Sequence, residues 1–192
     1  MERRALLKLL SLAPLSSLAA TPGCATVDPM IGDDERDGEG ECALTPADVE
    51  GPYYTANAPA REQLASATEP GEPLLLTGRL LAEGCATPLV GHILDVWHAD
   101  DQGVYDLEGY KLRGVFATDA EGRFTIETIL PGRYPDRPVR HIHLKLRDPS
   151  GEELLTTQIY FEGDPELADV HTGPRARLEG GIAEVELVLP GR

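Results

Sequence analysis

RFTIETILPGRYPDRPVRHIHLKL, residues 123–146, carries the pattern that decides the fold. From Arg123 to Thr128 the side chains alternate, with Phe124 and Ile126 on one face and Arg123, Thr125 and Glu127 on the other. That period of two belongs to a half-buried β-strand. Asp119-Ala120-Glu121-Gly122 before it and Pro131-Gly132 after it supply turns. The second half of the stretch repeats the pattern. If His141–Leu146 is extended, Ile142, Leu144 and Leu146 form an apolar face while His141, His143 and Lys145 point the other way. Two of the five histidines are thus neighbours on one face, shortly after a tyrosine, Tyr134, held among prolines on a stiff loop. Such a pair suits the solvated face of an amphipathic strand as well as a metal ion, and the pattern alone leaves both open.

Outward from this stretch, Leu74–Leu81, Val90–Trp97, Val139–Arg147, Leu154–Phe161 and Ile182–Leu189 also read as short strands bounded by turn residues. No helical period persists over ten residues. Regularly spaced short strands predict an all-β, antiparallel β-sandwich forming a single domain over residues 42–192. The segment ATDAEGRFTIETILPGRY also resembles hairpins of non-catalytic β-sandwich modules, so it speaks for the fold and not for chemistry.

The 192 residues suffice for one well-buried core, and the net charge of −16 disfavours nucleic acid and anionic membrane surfaces as partners. The start, MERRALLKLLSLAPLSSLAATPGC, has basic residues, an apolar run too short to span a bilayer, and then small residues. It predicts an export signal over 1–23, twin-arginine-like in its Arg3-Arg4 pair. A periplasmic, cell-surface or extracellular location follows, with Cys24 a candidate for lipid attachment and membrane anchoring. Residues 24–41 are acidic and poor in large apolar side chains, which predicts a disordered linker. Export permits a disulfide, and Cys42 with Cys85 is the natural pair if Cys24 lies in a tail.

Upstream of the histidines, DVWHADDQGVYD (95–106) is a strand ending in a polar turn that presents Tyr105. No cysteine is placed to complete a structural zinc site. Two tyrosines with two histidines would make a hard oxygen and nitrogen set, and phenolate ligands favour Fe(III). Trp97 and His98 read as packing groups, Tyr53 and Tyr54 as residues near the mouth of a pocket, and His171 as solvated. Asp95 and Asp100 read as turn-ordering residues.

LTPADVEGPYY (44–54), DVWHADDQGVYD (95–106), LRGVFATDAEGRFTIETILPGRYP (112–135), HIHLKL (141–146) and TTQIYFEGDP (156–165) together resemble the intradiol ring-cleavage dioxygenases in order and spacing. The resemblance implies a non-haem Fe(III) held by Tyr105, Tyr134, His141 and His143, with Tyr134 and His143 axial. It implies cleavage of a catechol-type diol by O2 to a cis,cis-muconate-type dicarboxylate, with Tyr134 taking up a proton. Gln158 matches a glutamine near the substrate. The family's arginine stands three residues before the first histidine, where this chain has Pro138. Of its neighbours, Arg140 on a strand would point with Ile142 away from the metal, so Arg137 is the better candidate for stabilising charge on the ring. The chain shows no long helical N-terminal region of the kind dimeric catechol dioxygenases carry, so the resemblance is to a stand-alone type. Two other readings stay in view: a non-catalytic β-sandwich module that binds catechols or another ligand, and a zinc or copper site built on the two histidines.

Overall fold

The computed structural model describes residues 42–135, 137–167 and 172–191. The predicted signal, the linker, Cys24 and His171 lie outside these residues. Eight strands follow one another: β1 (Pro73–Ala82), β2 (Ile93–Trp97), β3 (Arg113–Ala117), β4 (Arg123–Ile129), β5 (His141–Arg147), β6 (Glu153–Phe161), β7 (Arg175–Glu179) and β8 (Ile182–Leu189). No helix occurs among the described residues, and in particular none long and apolar enough to cross a membrane.

The strands form one nearly closed sheet in the order β3-β2-β5-β6-β7-β8-β1-β4. All-β and a shared core agree with the sequence pattern, but the wholly antiparallel arrangement is corrected. The pairs β1–β8 and β6–β7 are parallel. Parallel neighbours need a long return connection, and the chain has one between β6 and β7 and nearly its whole length between β1 and β8. The supposed hairpin around Asp119–Gly122 is corrected as well. β3 pairs with β2 and β4 pairs with β1, so this turn carries the chain between opposite ends of the strand order. Asp119 ties the turn by accepting from the amides of Glu121 and Arg123 at 2.9 and 2.7 Å.

Alternation places Leu74 and Leu76, Leu94 and Val96, Phe124 and Ile126, Ile142, Leu144 and Leu146, Ile159 and Phe161, and Val185 and Leu187 in one apolar cluster. Both arms of the sheet contribute to it, which leaves the opposite face of β5 for other purposes. That face is not solvated: His141, His143 and Lys145 are all buried. A strap of irregular chain, residues 45–54, lies across it. Thr45 N donates to Val188 O, Asp48 N to Thr156 O, Thr157 Oγ1 to Pro46 O and Gln158 Nε2 to Val49 O. Lys145 Nζ pairs with Glu50 and Glu153 and sits 4.1 Å from the Tyr54 ring centre. The expected Cys42–Cys85 disulfide is present and pins the chain ahead of the strap to the turn after β1.

Candidate metal centre

Beneath the strap, β5 sets His141 opposite Tyr160 and His143 opposite Gln158 on β6, with Trp97 of β2 beside His143. Because His141 and His143 are two apart on one strand, their rings share a face, with centres 4.8 Å apart. Two loops bring the tyrosines to them. Gly103, at φ +83°, and Gly132 lie backbone against backbone: a Cβ on Gly103 would come 2.3 Å from Arg133 O, and one on Gly132 2.3 Å from Gly103 N. Only glycine permits that approach. It presses the loop carrying Tyr105 onto the loop carrying Tyr134.

The result is convergent. Tyr105 Oη lies 3.3 Å from His141 Nε2 and 3.1 Å from His143 Nε2, and Tyr134 Oη lies 3.4 Å from His141 Nε2. Two donors each about 2.1 Å from a shared ion, at roughly 90–110°, stand about 3.0–3.4 Å apart. The spacing therefore fits a metal. So does the protonation. His141 Nδ1 contacts the Val139 carbonyl at 2.8 Å, and a carbonyl only accepts. Nδ1 must carry the hydrogen, which leaves the Nε2 lone pair aimed at the tyrosine oxygens.

Burial holds His143 well below the ordinary histidine range, with His141 and Arg137 adding to the effect, so it too stays a neutral imidazole. Its ring stacks on Trp97, 4.8 Å between centres and 7° from parallel. Burial, reinforced by Tyr134, drives the Tyr105 phenol upward. A phenolate there needs a cation, which a bound metal supplies. Among the described residues no group of three or more His, Cys, Asp or Glu is placed to hold a metal ion. The oxygens that converge on the histidine pair are phenolic, a donor set that suits Fe(III) better than zinc.

The family model described as "Dioxygenase" matches residues 49–187, most of the chain. The chain belongs to the intradiol ring-cleavage dioxygenase family. It is 34% identical over 151 residues to catechol 1,2-dioxygenase 2 of Acinetobacter lwoffii, covering 65% of this chain and 54% of that one. To hydroxyquinol 1,2-dioxygenase of Rhizobium sp. (strain MTP-10005) it is 31% identical over 165 residues, covering 72% and 55%. The chain thus spans about half the length of these curated relatives. Among solved structures it is similar to the dioxygenase domain of a dioxygenase carbohydrate-binding protein fusion from Streptomyces sp. SirexAA-E. That match has a TM-score of 0.66 and 39% identity, covering 78% of this chain and 98% of that one.

In this intradiol family member the two arginines near the histidines part company. Arg140 Nη1 donates to Pro131 O at 2.7 Å and its amide to Asp164 Oδ2 at 3.1 Å, so it stitches the loop from outside. Arg137 Nη2 donates to Tyr160 Oη at 2.7 Å and lies 3.7 Å from Asp48 Oδ1. Tyr160 Oη donates in turn to Asp48 Oδ2 at 2.8 Å, with Gln158 Oε1 3.2 Å away. Gln158 is fully buried and tied to the strap through Val49. Tyr53 stacks on Tyr105 with ring centres 4.3 Å apart and meets Tyr134 edge-on at 6.2 Å.

His98 stands apart from the donors. Its Nδ1 donates to Ala99 O and its Nε2 accepts from Thr128 Oγ1, both at 2.7 Å. Asp100 orders its turn as expected, accepting from the amides of Gln102 and Val104. Asp95 does not cap a turn: it is buried and accepts from Tyr54 Oη at 2.8 Å. The sequence reading missed Asp48 and Tyr160. Tyr160 was within reach, since it shares a strand face with Gln158 two residues away.

Proposed function

We propose that this chain is an exported, Fe(III)-dependent intradiol dioxygenase that opens a catechol-type ring with O2 to a cis,cis-muconate-type dicarboxylate. The observation that carries the reading is the convergence of Tyr105, Tyr134, His141 and His143 with the His141 lone pair turned inward. These four residues would hold the ion. When bound, Fe(III) supplies Lewis acidity and a template for a chelating diol.

The remaining work falls to the protein. Tyr134, the less buried of the two tyrosines, would be a phenolate while it holds the ion and so could accept one proton at Oη from the incoming diol, while the deeply buried Tyr105 keeps its place. Arg137, held by Tyr160 and Asp48, stabilises negative charge that develops on the ring. Tyr53, Trp97 and the strap keep water from the reacting face. Hydroxyquinol and catechol dioxygenases among the relatives support a diol substrate without naming which one. The basic and apolar start of the chain supports export, testable by fusing residues 1–41 to a reporter and fractionating cells.

Protein loaded with Fe(III) should be coloured, because tyrosinate bound to Fe(III) absorbs visible light, and it should consume O2 with a catechol panel. Tyr134→Phe should weaken the visible band and slow turnover by 10²-fold or more, on the order expected for a proton-transfer group. Colourless protein holding stoichiometric zinc would sink the reading.

A further inference from the structure

Arg113, at the start of β3, is buried to 1% exposure. Its Nε and Nη2 donate to the carbonyl of Asp106, at 3.1 and 2.8 Å, and its Nη1 is buried with no hydrogen-bond partner. Among the described residues no carboxylate lies within ion-pairing distance of it. The Asp106 carboxylate is engaged elsewhere, accepting from the amides of Glu108, Gly109 and Lys111. Asp106 and Asp95 favour its charge only from beyond ion-pairing distance, while burial opposes it, and a buried guanidinium so weakly compensated is costly. What Arg113 meets is the Tyr105 ring, whose centre is 5.9 Å from its guanidinium carbon.

We propose that Arg113 is a positioning and charge-tuning residue for Tyr105: it fixes the backbone just after the tyrosine and sets a cation against its ring. This rests on the Fe(III) reading above. Two roles follow from one side chain. The fork onto the Asp106 carbonyl holds the loop that delivers Tyr105. The charge draws electron density toward the ring and lowers the energy of its donor orbitals, so the transition from phenolate to Fe(III) takes more energy than it would without the cation. Arg61 is the natural control. It supports the same loop through Nε to Arg113 O at 2.8 Å and Nη2 to Tyr110 O at 2.9 Å, and has no contact with the Tyr105 ring.

The test is the visible spectrum of the iron-loaded full chain. Arg113→Met should move the band to longer wavelength by on the order of 10 nm, the scale for a unit charge removed from about 6 Å in a partly shielded interior. Arg113→Lys, which keeps the charge, should hold the band near its wild-type position, as should Arg61→Met even where it lowers the unfolding midpoint. The shift should persist in a Tyr134→Phe background and vanish in a Tyr105→Phe background. A band unmoved in Arg113→Met, or moved equally in Arg113→Lys and Arg61→Met, overturns the proposal. If Arg113→Met is not recovered folded, Arg113→Lys decides, since a band displaced there contradicts the role of charge. Wild-type protein that shows no visible band would instead defeat the Fe(III) reading itself.

Discussion

At the scale of single residues the centre is built from what each side chain cannot do elsewhere. Gly132 has no room for a methyl group, because a Cβ would lie 2.3 Å from Gly103 N and 2.4 Å from Asp101 O. Gly132→Ala should therefore cost roughly 1–3 kcal/mol, read by urea unfolding, and should also weaken iron retention by parting the tyrosine loops. Full iron retention in a folded Gly132→Ala protein would contradict the role given to this contact. His98 makes a pH-dependent contribution. Burial holds its pKa at about 4, below the ordinary 6.5, so the folded chain disfavours its proton. Its share of the stability is complete above pH 6.5 and is lost as pH falls toward 4, on the order of 3 kcal/mol. The unfolding free energy of metal-free protein should fall over that window, and His98→Gln should fall less. The four convergent donors were named by the resemblance of their motifs, because among six tyrosines and five histidines residue type alone selects none. Arg113 and Asp48 could not be named, since an arginine in LRG or an aspartate in TPADVEG says nothing about what lies across from it.

At the scale of elements, the strap decides whether the β5 histidines face water or a closed pocket. Its hold comes from bonds between residues about a hundred positions apart, such as Gln158 to Val49 and Tyr160 to Asp48. No local pattern in residues 45–54 foretells such partners, which is why the polar face of β5, taken alone, reads as a solvated face. The disulfide closes a separation of 43 residues. Replacing Cys42 and Cys85 with serine should lower stability by about 2–4 kcal/mol, seen as a urea midpoint that no longer responds to reductant. An unchanged midpoint would mean that the Thr45 and Asp48 backbone bonds hold the strap unaided. Strands with clean alternation, β4 and β5, were legible. β3 (RGVFA) and β7 (RARLE) were not, being only five residues each and lacking a sustained apolar period. The direction of pairing was also hidden, because alternation is the same for parallel and antiparallel neighbours.

At the scale of the whole molecule, one core fed by both arms of the sheet fixes β5 between two jobs. Ile142, Leu144 and Leu146 bury inward, and the histidines on the reverse side inherit that rigidity. A site on a strand locked from behind is held more precisely than one on a loop, and only the two tyrosines rely on loops, braced there by paired glycines. The all-β class was therefore readable from sequence, and the donor set came from the family resemblance, whereas the closure of the sheet and the strap that seals the site depend on distant contacts. The most direct test is a turnover of catechol under 18O2 with iron-loaded protein, followed by mass spectrometry of the product. The account predicts a ring-opened dicarboxylate carrying both atoms of labelled oxygen. Unlabelled quinone, an aldehyde-bearing ring-cleavage product, or no oxygen consumption by coloured, folded protein would contradict it.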